Sequence, residues 1–304
     1  MTQPTPFVER LAPAKINWFL EILRKRDDGF HDLTTVMQTI DWCDTLRFYP
    51  APAGAISLTT NVEGLEVDDS NLVVRAAKSL REFVGKPELS ARIELDKDIP
   101  WGGGLGGGSS DAAATLSALT EFWELSVPLP DLMVLASELG SDVSFFLSAP
   151  LAKCEGRGEL VAPLEGASTY WLVMLWPGMA VSTPAIYQSG KIDLTGPRHN
   201  RYLIDTEYDS EDQRSTPFYL FNRLQAPCFE CFDAVRKCFC TLTTLASGRP
   251  VLLSGSGSSM FVICQDEADG RAMRAQLESQ FPPPARVRLC RTLDRATTTT
   301  WRSQ

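Results

Sequence analysis

The stretch DIPWGGGLGGGSSDAAATLSAL, residues Asp98–Leu119, places six glycines and two serines directly before an alanine-rich segment. Alanine has the best helix propensity, so the segment after the serines is predicted to be helical. A glycine run in front of a helix has three interpretations: a flexible linker, a dinucleotide-binding loop, or a loop that binds phosphate groups.

The linker and dinucleotide interpretations both conflict with the surrounding residues. A linker joins independent units, whereas this run joins a predicted strand to a helix and contains an apolar residue, Leu105. Gly102, Gly104 and Gly107 do satisfy G-x-G-x-x-G, but that match alone is weak. A dinucleotide site also needs a buried parallel strand before the first glycine. Here ARIELD alternates as a half-exposed strand does, and Pro100 interrupts any ladder.

The phosphate interpretation explains more of the pattern. Glycines allow consecutive backbone N–H groups to converge on an anion. Ser109 or Ser110 is then predicted to cap the following helix, whose N-terminus attracts negative charge. Unlike the P-loop pattern, this stretch has no lysine between its last glycine and the serine. The cation is therefore expected from Lys15 or Lys97.

The composition is typical of a globular enzyme in a reducing compartment. The 304 residues carry 29 basic and 38 acidic side chains, a formal net charge of −9, without the basic run of a nucleic-acid patch. The sequence predicts no signal peptide, and it contains no apolar run of the ~18 residues that a membrane helix needs. A cytoplasmic protein that binds neither nucleic acid nor membrane is expected. Its eight cysteines are predicted to be reduced.

Four of the cysteines, Cys228, Cys231, Cys238 and Cys240, have spacings that a zinc site could use. In the same segment, APCFECFDAVRKCFCTL, apolar residues recur at the i, i+3, i+4 and i+7 spacing of a helix. The only two histidines of the chain lie elsewhere. A core helix, in which small buried thiols act as hydrophobic side chains, is therefore favoured over a zinc site.

The remaining pattern predicts an α+β protein with two domains. In AKINWFLEIL (residues 14–23), apolar side chains alternate with Lys15, Asn17 and Glu21, which predicts a strand with these polar residues on one face. The apolar segment TYWLVMLWPG and the strand–turn–strand pattern PVLLSGSGSSMFVI indicate a second sheet. We place the boundary near residues 155–165, with domains at 1–160 and 161–304, and predict a surface insertion at 190–216.

Three segments together resemble one family. PWGGGLGGGSSDAAA is similar to the signature of the kinase superfamily of galactokinase, homoserine kinase, mevalonate kinase and phosphomevalonate kinase. APAKINWFL and LLSGSGSSMFV resemble its N-terminal and C-terminal motifs. The resemblance implies a kinase that uses ATP and Mg²⁺, with the active site in the cleft between two α+β domains. PAKINWFLEILRKRDDGFHDLTTVMQTID is similar to the members that phosphorylate the 2-hydroxyl of cytidine-diphosphate methylerythritol, a small molecule of non-mevalonate isoprenoid synthesis.

The resemblance also implies roles for individual residues. Asp142, in GSDVSFF, matches the catalytic aspartate, and Lys15 matches the lysine beside it. From the residues alone, a helix cap is favoured for Asp142, and Lys15 fits a solvated strand lysine equally well. The expected ATP-binding residues are Lys97, Pro100, Gly102, Gly103, Gly104, Leu105, Gly106, Gly107, Gly108, Ser109 and Ser110. The motifs assign no side chain to Mg²⁺.

The expected substrate-binding residues are Asn17, Phe30, His31, Thr183 and Tyr187. In this hypothesis His31 binds the edge of the cytosine ring, and the rings of Phe30 and Tyr187 stack on its faces. Asn17 and Thr183 add polar contacts to the substrate.

Two other functions stay open at this point. One is a different small-alcohol kinase of the same superfamily, such as homoserine kinase, and the other is a catalytically silent binding protein on the same fold. The G-F-H turn at residues 29–31 argues against the first, and the presence of both Lys15 and Asp142 argues against the second. Ser141, Ser144 and Arg223 depart from the family pattern, and the resemblance predicts no role for Arg223.

Overall fold

The computed structural model describes residues 8–148, 150–165, 168–194 and 220–294. Its strands are β1 (Val8–Lys25), β2 (His31–Tyr49), β3 (Ile56–Thr60), β4 (Ala91–Asp96), β5 (Leu151–Gly156), β6 (Leu160–Pro163), β7 (Trp171–Trp176), β8 (Phe221–Asn222), β9 (Val251–Leu253), β10 (Met260–Cys264) and β11 (Arg286–Arg291). Its helices are α1 (Leu72–Phe83), α2 (Gly107–Phe122), α3 (Leu129–Leu139), α4 (Val143–Ser148), α5 (Thr183–Gln188), α6 (Gln225–Cys231), α7 (Asp233–Ala246) and α8 (Glu267–Gln280). The predicted α+β class is confirmed. Most of the insertion predicted at 190–216 lies outside the described residues.

The first sheet is built on the long β1–β2 hairpin. Its strand order is β3-β4-β2-β1-β8, and β5 also pairs with β2 and carries β6 on its other side. The predicted alternation along β1 is confirmed, but both faces of the strand are buried. Ile16 and Trp18 on one face are 0% exposed, and Lys15 and Asn17 on the other are 4% and 1% exposed. Buried polar groups need hydrogen-bond or ionic partners. A buried lysine and asparagine side by side on β1 therefore indicate a functional site on this face.

The helices α1 to α4 pack on one side of this sheet around a common hydrophobic core. The prediction that Ser109 or Ser110 caps α2 is wrong, because the helix begins at Gly107 and Gly106 holds the cap position with a φ of +70°. Glycine adopts this left-handed conformation without steric cost, so the chain enters the helix directly from the glycine run. Ser109 and Ser110 lie inside the first turn, where the Ser110 N–H donates to the Gly106 carbonyl at 2.9 Å.

The second sheet has the order β11-β7-β10-β9 and is antiparallel throughout. α6, α7 and α8 contribute to the core packed against it. The segment predicted as one cysteine-bearing helix is divided at Phe232, whose φ of −133° and ψ of 80° are not helical. Cys228 is buried and Cys240 is exposed. Among the described residues, we find no group of three histidine, cysteine or acidic side chains that could hold a metal ion.

A third hydrophobic cluster joins the two sheets. The ring of Trp18 in β1 meets that of Phe261 in β10 edge-to-face, with the centroids 5.9 Å apart, and Leu172 of β7 lies in the same cluster. β8 lies beyond residue 160 in the sequence but pairs with β1 in the first sheet, so one strand crosses the predicted boundary. The division into two domains at residue 160 stays a prediction. Across the part of the chain that the structure describes, no helix is long and apolar enough to cross a membrane.

Candidate active site

The predicted site residues, with one exception, line a single cavity of about 1100 Å³. It is lined by residues 102–108, which we call the glycine loop, and by residues of the β1–β2 hairpin, α5 and the turn before α4. Ser110 is the one predicted site residue that does not line it, because its side chain is buried in the first turn of α2. Residues far apart in the sequence therefore meet at one cavity.

The glycine loop is held by backbone hydrogen bonds from both halves of the chain. The N–H of Lys15 donates to the Leu105 carbonyl at 2.9 Å, and the N–H of Ser259 donates to the Gly103 carbonyl at 3.0 Å. Leu105 is 1% exposed and packs in the cluster between the sheets. The loop is thus an anchored part of the fold, which excludes the linker interpretation.

A second glycine loop, residues 254–259 between β9 and β10, packs directly on the first. A Cβ atom on Gly104 would lie 2.2 Å from the Ser254 carbonyl oxygen, so this contact requires glycine. Gly255 and Ser256 reach the cavity, and Ser256 Oγ lies 2.7 Å from Thr183 Oγ1. The sequence predicts a turn here but not these contacts; its only signal is the repeated glycine–serine composition.

The first turn of α2 presents Gly107, Gly108 and Ser109 to the cavity. The first N–H groups of a helix have no partner within the helix and lie at the positive end of its dipole. A Cβ atom on Gly108 would meet only the side chain of Leu72, at 3.7 Å. This turn can therefore bind a phosphate group through backbone N–H groups.

Lys15 and Asp142 form an ion pair, with 3.5 Å between Lys15 Nζ and Asp142 Oδ2. The lysine side chain is 5% exposed and the aspartate side chain 32%, so one is fixed inside the protein and the other is open to the cavity. Asn17 Oδ1 accepts from Lys15 Nζ at 2.7 Å, and Asn17 Nδ2 donates to Thr35 Oγ1 at 2.8 Å. Asn17, predicted to contact the substrate, lines the cavity with both amide atoms engaged by the protein and positions Lys15.

Lys97 lines the cavity as predicted, but its charge is already compensated. Its ammonium group contacts the Asp44 carboxylate and lies 2.8 Å from Asp111 Oδ2. Burial lowers the pKa of Lys97, but the two carboxylates outweigh this effect and raise it above its ordinary value, so the lysine is protonated. Neither of the two lysines expected as the cation for phosphate is therefore free of carboxylates, since Lys97 is paired with two and Lys15 with one.

Part of the cavity lining is aromatic, and we call it the aromatic end. The rings of His31 and Tyr187 lie 5.1 Å apart between centroids, at 43°. Burial, and then the Lys25 ammonium, lower the pKa of His31, so the imidazole is neutral at about pH 7. Phe30 is 51% exposed, and the guanidinium of Arg157 lies 4.9 Å from the centre of its ring. Three of the predicted residues thus line the aromatic end, with Arg157 as an addition that the sequence did not reveal.

Arg223 has a structural role that the sequence left open. Its Nε and Nη2 donate to the two carboxylate oxygens of Glu21 at 2.7 and 3.0 Å. Glu21 lies on the buried polar face of β1 and is 6% exposed. Arg223 therefore compensates a buried carboxylate, which pattern analysis of either segment alone could not reveal.

The fold and the cavity are those expected of an ATP-dependent small-molecule kinase, as the sequence predicts. The model of the GHMP kinases N terminal domain matches residues 71–149. The backbone is similar to a crystal structure of mevalonate kinase, with a TM-score of 0.67 over 94% of this chain and 99% of that one. At 13% identity, this similarity concerns the fold alone.

Similarity over most of the chain identifies the family more narrowly. The sequence is 37% identical to the 4-diphosphocytidyl-2-C-methyl-D-erythritol kinase of Thermodesulfovibrio yellowstonii, over 86% of this chain and 90% of that protein. It is 40% identical to the enzyme of that name from Prochlorococcus marinus strain MIT 9313, over 86% and 85%. A crystal structure of 4-(cytidine 5'-diphospho)-2C-methyl-D-erythritol kinase has 32% identity and a TM-score of 0.72 over 93% of this chain and 99% of that one. The chain belongs to the 4-diphosphocytidyl-2-C-methyl-D-erythritol kinase family, and the predicted resemblance is confirmed.

Proposed function

We propose that this chain transfers the γ-phosphoryl group of ATP to the 2-hydroxyl of 4-diphosphocytidyl-2-C-methyl-D-erythritol, in the non-mevalonate route to isoprenoid precursors. The observation that carries the proposal is one cavity with an anion-binding loop, an aromatic end and the Lys15–Asp142 pair. Lys15 is close to the loop, because a Cβ atom on Gly106 would lie 3.1 Å from its Cγ. Asp142 is near Tyr187, whose pKa is raised by burial and by the Asp142 charge.

The glycine loop and the first turn of α2 hold the phosphate groups of ATP. Phosphoryl transfer depends mainly on positioning the reacting groups and on stabilising charge. The Leu105 and Gly103 carbonyls accept from the N–H groups of Lys15 and Ser259 and fix the loop, so the loop's own N–H groups are oriented before the nucleotide arrives. They need little rearrangement during the reaction, which is where such electrostatic stabilisation is most effective.

Asp142 accepts the proton of the substrate hydroxyl, and Lys15 stabilises the negative charge that develops on that oxygen. The carboxylate is accessible from the cavity, as a general base must be. The buried ammonium of Lys15 is held by Asn17 Oδ1 at 2.7 Å. A charge fixed in a buried position acts more strongly than one in solution.

The aromatic end binds the cytosine. Tyr187 and Phe30 offer ring faces for stacking, and the neutral imidazole of His31 offers one donor and one acceptor to the edge of the base. Thr183 and Ser256 share a hydrogen bond at the same cavity, and their hydroxyls add polar contacts to the substrate.

If Mg²⁺ takes part, it would be held mainly by the phosphate oxygens of the nucleotide. The described residues offer no group of three ligands that would form a cage from protein atoms alone, and Mg²⁺ commonly binds through substrate phosphates and retained waters. The residues therefore fit a metal held chiefly by ATP, where it would neutralise phosphate charge.

The test is ATP turnover with 4-diphosphocytidyl-2-C-methyl-D-erythritol, homoserine and mevalonate as separate acceptors. The proposal expects turnover with the first acceptor and a kcat/KM at least about a hundredfold lower with the others, which cannot fill the aromatic end. Equal or faster turnover of homoserine would make the chain a different small-alcohol kinase. ATP binding without turnover of any acceptor would support the silent binding protein.

A further inference from the structure

Three buried charged side chains lie beneath the first turn of α2. Lys97 Nζ contacts Asp44 of β2 and Asp111 of α2, and the side chains of the three residues are 7%, 0% and 3% exposed. A Cβ atom on Gly107 would lie 3.1 Å from Lys97 Nζ. The ammonium group therefore lies directly against the turn whose N–H groups face the cavity.

Asp44 alone is enough to compensate Lys97. Besides its contact with the ammonium, it accepts the N–H groups of Asp98 and Ile99 on Oδ1, at 2.6 and 2.8 Å. Its carboxylate is thus fully engaged in fixing the segment that leads into the glycine loop. Stability requires no second carboxylate here, since an additional buried charge is costly unless it is paired.

Asp111 is that second carboxylate, and it is incompletely satisfied. Its Oδ2 shares Lys97 with Asp44, and its buried Oδ1 has no hydrogen-bond partner among the described residues. The residue also lines the cavity that accepts the nucleotide. When Asp111 is ionised, the cluster of one lysine and two aspartates has a net charge of −1, beside the site for a polyanion. When Asp111 is protonated, the cluster is neutral.

The surroundings of Asp111 shift its titration toward neutrality, so both protonation forms are populated there. Burial raises its pKa, the Lys97 ammonium opposes this, and the Asp44 carboxylate adds to it, with a result of about 7. On β1, Arg10 is paired with Glu121, and Lys15 is paired with Asp142. α4 carries no titratable side chain.

The charged residues of α1 and α3 have partners elsewhere or lie near the surface. On α1, Lys78 is paired with Asp69, and Arg81 donates to the Gly54 carbonyl. The other charged residues of these two helices are exposed or half-buried, namely Arg75, Glu82, Asp131 and Glu138. Lys97 and Asp44 therefore control the charge of Asp111.

We propose that Asp111 is a positioning residue of the nucleotide site, which takes up a proton when ATP binds and so keeps the cluster beneath α2 neutral. The proposal rests on the proposed function only in taking ATP as the ligand. The phosphates held at the first turn of α2 repel an ionised Asp111, and a proton from solvent removes this repulsion. Lys97 and the turn that it supports then keep one geometry in both states.

The experiment measures binding of the non-hydrolysable analogue AMP-PNP by calorimetry, in two buffers with different ionisation enthalpies. The buffer dependence of the heat gives the number of protons taken up. The variants are Asp111→Asn, which is neutral at every pH, and Asp96→Asn as a control. Asp96 is exposed and pairs with Asn61, so its replacement removes one carboxylate without changing the cluster.

At about pH 7.5 we expect wild type and Asp96→Asn to take up roughly half a proton more than Asp111→Asn. The titration of the nucleotide itself is common to all three proteins and cancels. Affinity should be similar for wild type and Asp111→Asn at about pH 6, and about tenfold higher for Asp111→Asn at about pH 8.5. A purely structural role would change stability and leave the proton count unchanged.

Equal proton uptake by wild type and Asp111→Asn would overturn the proposal. If Asp111→Asn does not fold, Asp111→Ser provides the same comparison. Because the measurement needs no acceptor, proton uptake that depends on Asp111 would stand even if turnover of the cytidylated alcohol were absent. Conversely, turnover with equal proton uptake would leave the proposed function intact and refute the role of Asp111.

Discussion

At the scale of single residues, the buried face of β1 carries the chemistry. A lysine that is 4% exposed in the middle of a strand is unusual, and the structure compensates it with Asn17 Oδ1 and the Asp142 carboxylate. The contact with Asp142 could not be derived from alternation in the strand, because Asp142 lies in a distant segment of the chain. The same alternation nevertheless predicts that Lys15 and Asn17 share a face.

We predict that Asp142→Asn lowers kcat by about 10²–10⁴-fold and leaves the KM for ATP nearly unchanged. The amide keeps the size of the side chain but cannot accept the hydroxyl proton. Steady-state kinetics with ATP and the cytidylated alcohol would measure both parameters, with Asp96→Asn as a control on the exposed surface. A kcat within about threefold of wild type would mean that Asp142 is only a helix cap.

For Tyr187→Ala we expect about a tenfold higher KM for the cytidylated alcohol, since one stacked ring contributes roughly 1–3 kcal/mol to binding of a base. The KM for ATP should not change, because the nucleotide lies on the glycine loop. Tyr187→Phe is the matched control and should behave as wild type if the ring face, not the hydroxyl, binds the base.

His31→Ala should reduce the preference for cytidine over uridine. Unchanged KM values in both alanine variants would contradict the cytosine site.

For Lys97, the sequence predicts the position of the side chain but not its charge state. Its position before the glycine loop was sufficient to place it at the cavity. Its charge state depended on Asp44 and Asp111, which come from a different strand and from a helix. Sequence patterns indicate which residues share an element, but ion pairs between elements depend on packing.

At the scale of elements, the two faces of the glycine loop have different functions. Gly104 faces the second glycine loop, where a Cβ atom would lie 2.2 Å from Ser254 O and 2.9 Å from Gly257 O. Gly108 faces the cavity, where the nearest contact of a Cβ atom is 3.7 Å away. The sequence predicts a glycine loop before a helix, but it could not distinguish packing glycines from ligand-facing ones.

We predict that Gly108→Val weakens ATP binding by about tenfold or more while thermal stability stays within a few degrees of wild type. The branched side chain fits the fold but obstructs the approach of phosphate to the N–H groups of α2. Calorimetric titration with AMP-PNP and a thermal melt would measure the two effects. Gly104→Val is the contrasting variant and should lose thermal stability first, because it collides with backbone atoms. Unaltered nucleotide affinity in folded Gly108→Val would refute the phosphate-binding loop.

At the scale of the whole molecule, the two sheets share a core that neither half of the chain forms alone. Trp18 of the first sheet and Phe261 of the second are both 0% exposed and in contact. Gln38 in β2 accepts from Trp18 Nε1 at 2.8 Å and donates to the Leu293 carbonyl at 3.0 Å. Apolar periodicity predicted both sheets, but it carries no information about which faces meet.

This shared core predicts that the two sheets unfold in one cooperative transition, even though they were assigned to separate domains from sequence. Trp18→Ala should lower the free energy of unfolding by about 3–5 kcal/mol, because it leaves a large cavity between the sheets and removes the bond to Gln38.

Hydrogen exchange along a denaturant series would follow the amides of β4 and β10 separately. Both strands should lose protection at the same denaturant concentration, in wild type and, at a lower concentration, in Trp18→Ala. Phe83→Ala, a truncation of a half-exposed ring on α1, is the control and should shift the transition far less. If β10 stayed protected after β4 had exchanged, the halves would be independent domains and the core between them would contribute little to either.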